Sequence, residues 1–320
     1  MLASEQDNLR AALTFARAAD KRGLLRLATA MEPFWLAGNV GEGRRWLGEA
    51  IALDPEWTVD HARALLTAGT LASIQQAHDK ARKFVTEALV LSASVNDEVG
   101  EAWSHLTLGM IEWIADNPSE ATGHLRRSLA MHKKLDHQLG ASRSRILLAA
   151  SMILTPRTLE RGRIELKVAA QIAHDLEDRW GEGLAMMILG LADLDAGQPD
   201  IAADHLRRAL LSEAIGPIRG GALEGFAQLA GDDDPPRALR LLGAATRLRE
   251  RQTGRPPEFL KRRAAAIRAR AEEQLELPDA EQAWNEGYQM TTPHAIAHAL
   301  DNRQANEALQ PHQSATASAN

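Results

Sequence analysis

Small residues recur along this chain at Gly43, Ala81, Ala121, Gly162, Ala202 and Ala238, separated by 38, 40, 41, 40 and 36 residues. Four positions after each stands an aliphatic residue, Leu47, Val85, Leu125, Leu166, Leu206 and Leu242. Seven positions after each stands another small one, Ala50, Ala88, Ser128, Ala169, Ala209 and Ala245. The spacing i, i+4, i+7 gathers these side chains on one face of a helix. A small, large, small face lets a second helix approach closely, and Gly69, Gly109 and Gly190, each twelve residues ahead of a ruler position, are suited to that second helix. One helical hairpin cannot bury its own apolar face, so a period of this length implies neighbouring hairpins stacked on one another.

The most complete copy runs from Asp97 to Leu135. Ala102, Leu106, Gly109, Met110 and Trp113 fall on one face of a first helix. Asn117, Pro118 and Glu120 then supply an N-cap side chain, a ring suited to the first helical position and an acid three residues after the cap. Ala121, Leu125, Ser128, Leu129, His132 and Leu135 carry the inner face of a second helix, which packs antiparallel on the first.

The glycine, the alanine twelve residues on and the small residue seven beyond it resemble the tetratricopeptide repeat. Leu108 and Gly109 stand where that family has its Leu-Gly pair, while His105 and Glu112 stand where it prefers aromatics. The period is nearer forty than the family's thirty-four or so. Extra residues are expected at Asp97, Asp136 and Asp178, each followed by Gly100, Gly140 or Gly181 at the turn between hairpins. The expected fold is all-α, a right-handed superhelical solenoid of tetratricopeptide-like hairpins. Composition agrees, since no run of β-branched residues alternates with period two. Residues 1–300 are expected to form one repeat domain of about six hairpins, with a cap over about 258–300 and a disordered polar tail over 301–320.

Taken in order, residues 5 to 20 form a helix, Gly23 to Asn39 a second one, and Gly41 to Leu53 opens the repeats with Trp46 and Leu47 facing inward. Thr155-Pro156 interrupts the unit from Gly140 to Leu176. The loop Gly231 to Pro236 breaks the chain before a helix from Arg237 to Arg251, Gly254 to Pro257 breaks it again before a helix from Glu258 to Leu275, and Asp279 to Leu300 holds one or two capping helices.

EQDNLRAAL (Glu5 to Leu13), FWLAGNVGEGRRWL (Phe34 to Leu47), RALRLLGAATRLRE (Arg237 to Glu250) and EQAWNEGYQMTTPHAIAHAL (Glu281 to Leu300) resemble the C-terminal repeat region of bacterial STAND-type transcription regulators, which pair an NTPase module with a LuxR-type DNA-binding domain. The resemblance implies a sensor and interaction array that holds or releases an NTPase. The chain carries no Gly-x4-Gly-Lys-Ser/Thr phosphate loop, and no DNA-binding helix-turn-helix is expected after Leu300, so neither nucleotide hydrolysis nor specific DNA binding transfers to its residues.

The chain has no cysteine, which excludes thiol catalysis and thiolate metal sites. A net charge of −6 gives no overall attraction to nucleic acid. No stretch reaches the roughly 20 apolar residues of a membrane span, and the opening MLASEQDNLR lacks a secretory signal, so a cytoplasmic protein is expected. Arg237 to Arg270 holds eleven Lys or Arg against Glu250 and Glu258. With Phe259 its single aromatic, that run reads as a solvated face, and direct nucleic-acid binding is not expected. His294, His298 and Asp301 have metal-ligand spacing on one helix face but no general-base glutamate, and read as part of the cap. Asp193 and Asp195 point to different faces, and no catalytic constellation, metal site or cofactor site is expected.

A second apolar stripe remains. Trp103, Leu106, Met110 and Trp113 lie where a tetratricopeptide-like register faces the concave groove, and Leu184, Met187, Leu191 and Leu194 repeat the stripe two units later. These eight residues are the candidate binding groove for a protein or peptide, and packing between neighbouring hairpins is the alternative. The expected function is a non-catalytic interaction or sensor module of bacterial signalling or transcription control, its partner a protein or its own regulator's NTPase module. The alternatives are a small-molecule effector sensor and, more remotely, an enzyme whose site is assembled across repeats.

Overall fold

The computed structural model describes residues 5–75, 77–154, 156–212, 216–252 and 256–300. The described elements are helices or short helical turns. The chain divides into two compact units, Met1–Gly181 with Thr253–Glu258, and Glu182–Gln252 with Phe259–Asn320.

In the first unit α1 (Gln6–Ala19), α2 (Lys21–Ala30), the short α3 (Glu32–Phe34) and α4 (Val40–Leu53) precede three hairpins. These pair α5 (Val59–Ile74) with α6 (His78–Ser94), α7 (Glu98–Ile114) with α8 (Pro118–Lys134), and α9 (Gln138–Ile153) with α10 (Leu159–Asp175). Within a hairpin each first helix packs on its second, and α6 on α7 and α8 on α9 carry the stack onward. The helices of the central hairpin run antiparallel: Gly109 lies against Leu125 while, further back along α7, the Ala102 carbonyl accepts a 2.9 Å hydrogen bond from the Ser128 hydroxyl.

All eighteen ruler residues are buried, and the aliphatic six are at most 2% exposed. The ruler works as its sizes require. A Cβ added at Gly109 would stand 2.5 Å from Leu125 and 3.3 Å from the Ala121 carbonyl, and Gly69 meets Val85 and the Ala81 carbonyl in the same way. In the third hairpin the glycine has changed sides. Gly162 of α10 lies against the carbonyl of Ala149, on α9.

The forty-residue period comes from helices and turns of fixed length. α6, α7, α8 and α10 are each 17 residues long. Between α6, α7, α8 and α9 the chain spends three residues on each turn, and the middle one is left-handed: Asn96 (φ 57°), Asp116 (φ 62°) and Asp136 (φ 52°). The next amide bonds back to the carbonyl five residues earlier, Asp97 to Ser92, Asn117 to Glu112, His137 to His132. That is a Schellman closure, and its last residue is already the N-cap of the next helix. Asp97 accepts from the Gly100 amide at 3.1 Å, and His137 Nδ1 from the Gly140 amide at 3.2 Å. Asn117 departs from expectation. It stands at the N-cap, but its side chain donates to Glu112 at 2.8 Å, joining Arg82 on a carboxylate whose two oxygens both accept from that guanidinium. A turn over Pro156–Thr158 lengthens the third hairpin's loop and accounts for the one interval of 41.

The single helix expected from Gly23 to Asn39 is three elements. α2 ends at Ala30, Pro33 cannot donate to continue it and instead opens α3, and a wide turn over Trp35–Asn39 carries Gly38 at φ 129°, a conformation that favours glycine. The indole of Trp35 donates to the Ala28 carbonyl at 2.8 Å, satisfying a group freed at the end of α2. Trp35 is fully buried against Gly43, so the first ruler glycine makes room for an indole.

α11 (Arg179–Asp195) starts in the first unit and continues into the second, which adds α12 (Pro199–Leu211), α13 (Gly216–Ala230), α14 (Pro235–Gln252), α15 (Glu258–Glu272), α16 (Leu277–Gln289) and α17 (Thr292–Ala299). Gly190 repeats the ruler contact with Leu206 (2.6 Å) and the Ala202 carbonyl (3.2 Å). α13 packs on α14, and α14 on α16 and α17. The α14–α16 crossing brings backbones together, with Gly287 against the Arg240 carbonyl and Gly243 against the backbone of Trp284 and Tyr288. α14 begins two residues earlier than expected, its prolines filling positions where no amide partner is needed. Residues 301–320, expected to form a disordered tail, lie outside the described residues.

Candidate binding surface

One register position links the hairpins of the first unit. Arg63 on α5, Trp103 on α7 and Arg143 on α9 stand forty residues apart. Each reaches the residue at the start of the following first helix. Arg63 Nε donates to Asp97 at 3.4 Å, Trp103 meets His137 edge-to-face at 5.6 Å, and Arg143 grips Asp178 through two bonds of 2.9 and 2.8 Å. The ties therefore read charge, aromatic, charge. Asp178 is buried, and its two hydrogen bonds hold the guanidinium in one plane.

That plane faces aromatic rings. The Arg143 guanidinium lies 5.8 Å from the Trp103 ring centre and 5.1 Å from that of Trp180, within cation–π range of both. Trp103 and Trp180 are half-buried, so each indole keeps an accessible edge. Glu32 of α3 joins the same surface. Its carboxylate accepts from the Thr67 hydroxyl at 3.5 Å, and burial holds its pKa above the usual range, with Thr67 and the positive charge of Arg143 drawing it back. α3, α7 and α9 thus supply an acid, an aromatic ring and a cation to one surface, and buried Thr67 of α5 supports the acid from beneath.

The expected stripe is only partly on it. Trp103 and Met110 are half-buried, while Leu106 and Trp113 retain 5% and 6% of their surface. In the second unit Leu184, Met187 and Leu191 are buried and Leu194 is half-buried. Met187 packs against Gly221 of α13. The residues that join Trp103 in the first unit, namely Arg143, Trp180, Asp178, Glu32 and Thr67, were missed. The forty-residue alignment of Arg63, Trp103 and Arg143 was the available signal for part of that set.

Behind Trp103 lies a histidine cluster. His132 is fully buried, 5.1 Å from the Trp103 ring centre and 5.1 Å from that of His137, and its flat ring covers Gly140. Burial, with His137 nearby, lowers its pKa to about 4. His105 shares a 2.9 Å Nδ1–Nδ1 contact with His124, and burial followed by the charges of His124 and Arg127 lowers its pKa to about 4 as well. In the second unit His205, at the register of His124, pairs with Asp193, at the register of Glu112, at 2.6 Å. Asp195, on the other face, bonds Arg263.

The basic run of the second unit is held in ion pairs and cap contacts. Arg240 pairs with Glu286, Arg249 with Glu224, Arg263 with Asp195, Arg268 with Glu272 and Arg270 with Asp232. Arg237 donates to the carbonyls of His298 and Ala299, and Arg247 lies 5.0 Å from the ring centre of Tyr288. The side chains of Arg251 and Arg255 lie outside the described residues. So does Asp301, the third member of the histidine triplet in the cap.

This geometry belongs to a chain of stacked helical hairpins. It is similar to YrrB. The crystal structure of that protein is described as a TPR protein with an unusual peptide-binding site; it matches 67% of this chain and 96% of its own length at 15% identity with a TM-score of 0.39, a likeness too distant to bear on function. No protein family matches the chain, and no curated protein does. Among the described residues no helix is long and apolar enough to cross a membrane.

Proposed function

We propose that the chain is a non-catalytic interaction module that binds a peptide segment of a partner protein on the surface built around Trp103. The observation that carries this reading is the Arg143 guanidinium set between Trp103 and Trp180 and locked from behind by buried Asp178. Rigid rings with accessible edges and a pre-oriented cation are the residue types that dominate binding energy at protein interfaces. Met110 extends the surface with a side chain that adapts its shape. In the second unit Leu194 is the one accessible member of the expected stripe and the one that could meet a partner, since Leu184, Met187 and Leu191 are buried.

A finer reading places the module in a bacterial transcription regulator, with the regulator's own NTPase as partner. Its support is the resemblance of the four segments Glu5 to Leu13, Phe34 to Leu47, Arg237 to Glu250 and Glu281 to Leu300 to the repeat region of such proteins.

The test is selection of binders from a random peptide display library on the full chain, followed by titration of a selected peptide against variants. Trp103→Ala should weaken binding by about tenfold or more, about 1.4 kcal/mol, and cost less stability than truncating a fully buried indole, because Trp103 keeps part of its surface in water. Buried Trp113→Ala should instead lower stability by about 3 to 5 kcal/mol. Peptides that bind wild type and Trp103→Ala equally would exclude this surface.

A further inference from the structure

α4 and α6 flank α5 in the first unit and line a half-open cleft of about 530 Å³. That is the size of a small-molecule site. From α4, Arg44 and Arg45 line it between Gly41 and Gly48, and beside Gly48 a Cβ would meet nothing within 4 Å, so the missing side chains keep the cleft open. From α6, Lys80 and Lys83 line it together with half-buried Phe84. Four cations therefore line one concavity in a chain whose net charge is −6, opposed among the described lining residues only by Glu87.

The neighbouring acids are committed elsewhere. Glu42 bonds Arg10, Glu49 pairs with Arg17, and Asp79 pairs with Arg82, leaving Arg45 only the more distant field of Glu42. Arg44 is held by a hydrogen bond from its guanidinium to the Gln75 side-chain oxygen, which orients the remaining N–H groups. Like charges brought together repel, and a compact anion carrying more than one charge removes that repulsion while accepting forked hydrogen bonds from the arginines.

We propose that this cleft binds a phosphate-bearing small molecule, its phosphate among Arg44, Arg45, Lys80 and Lys83 and its organic part against Phe84. A long polyanion such as nucleic acid fits less well. The cleft is bounded, Glu87 stands on its lining, and the chain as a whole repels negative charge. The site is separate from the surface around Trp103, and the two readings stand or fall independently.

Inorganic pyrophosphate is the probe, with sodium chloride at matched ionic strength as the control. The melting temperature of the full chain should rise and saturate with pyrophosphate and stay flat with chloride, because a ligand that binds only the folded state stabilises it. Arg44→Gln with Lys80→Gln should abolish the rise. Its melting temperature without ligand is the baseline from which the rise is read, because the substitutions remove like-charge repulsion together with the Arg44–Gln75 hydrogen bond. Gly48→Phe keeps every charge but fills the cleft and should also abolish the rise. No rise in wild type, or a rise that survives either variant, overturns the proposal, the second outcome marking diffuse attraction to surface charge.

Discussion

The central hairpin of the first unit and the α14–α16 crossing of the second both depend on a glycine where two helices touch, yet the two contacts differ in kind. At Gly109 the facing atoms belong chiefly to the Leu125 side chain, which can shift within its rotamers. At Gly287 they are the backbone of Arg240, which cannot move without carrying α14 with it. A repeat contact must be reproduced many times from varied residues, so it rests on side-chain volume. A closing contact is made once, and can rest on main-chain atoms meeting directly.

The comparison can be broken most severely at the ruler itself. Leu125→Ala and Leu206→Ala occupy the same position in the two units, and each should cost about 4 kcal/mol by leaving a cavity. Equal losses in chemical denaturation would show that the repeat contact is energetically the same in both units, and a loss below about 1 kcal/mol at either site would break the register.

Acid should discriminate next. His105 and His132 stay neutral in the folded first unit down to about pH 4, whereas in the unfolded chain a histidine protonates near 6.5. Their contribution is therefore complete above about pH 6.5 and lost as pH falls toward 4, by about 3 kcal/mol for each histidine. His132→Leu should flatten part of that acid limb in a stability-against-pH series, and an unchanged slope would show that the ring is not held neutral.

The smallest effect sharpens the original contrast. Gly287→Ala should cost about 3 kcal/mol and Gly109→Ala about 1 kcal/mol, the difference being that between displacing backbone and displacing a leucine. Equal melting temperatures for the two variants would remove the distinction between volume contacts and main-chain contacts.

The stacked-hairpin class was legible because the rule behind it is local. Ala121, Leu125 and Ser128 sit on one face by helical arithmetic, and the same arithmetic recurs five more times. The turns were half legible. Asp97, Asp136 and Asp178 marked their places, but the left-handed residues at Asn96, Asp116 and Asp136 carry no glycine to announce them. The break between α2 and α3 needed Trp35 to reach the Ala28 carbonyl, and the α14–α16 crossing pairs Gly243 and Gly287 with residues about forty positions away on another helix, and neither leaves a periodic trace. The binding surface was least legible. Apolar spacing picked out Trp103 and Met110 together with six neighbours, most of them buried, because a helix buried on several sides shows more than one apolar stripe. What sets Trp103 apart from the rest of the stripe is Arg143, one repeat away.

Several ion pairs of the first unit reach across about one repeat: 32 residues from Arg10 to Glu42, 34 from Arg63 to Asp97, 30 from Arg82 to Glu112 and 35 from Arg143 to Asp178. A chain leaving the ribosome can make each of these ties as soon as one further hairpin has emerged, so the first unit consolidates in step with its synthesis. The second unit has short ties too, 26 residues from Arg208 to Glu182 and 25 from Arg249 to Glu224, but there Arg263 must also return 68 residues to Asp195 and Arg237 must find carbonyls 61 and 62 residues ahead. The first unit can thus be tied link by link as it is made, whereas the contact of Arg237 with α17 must wait for α17 to emerge.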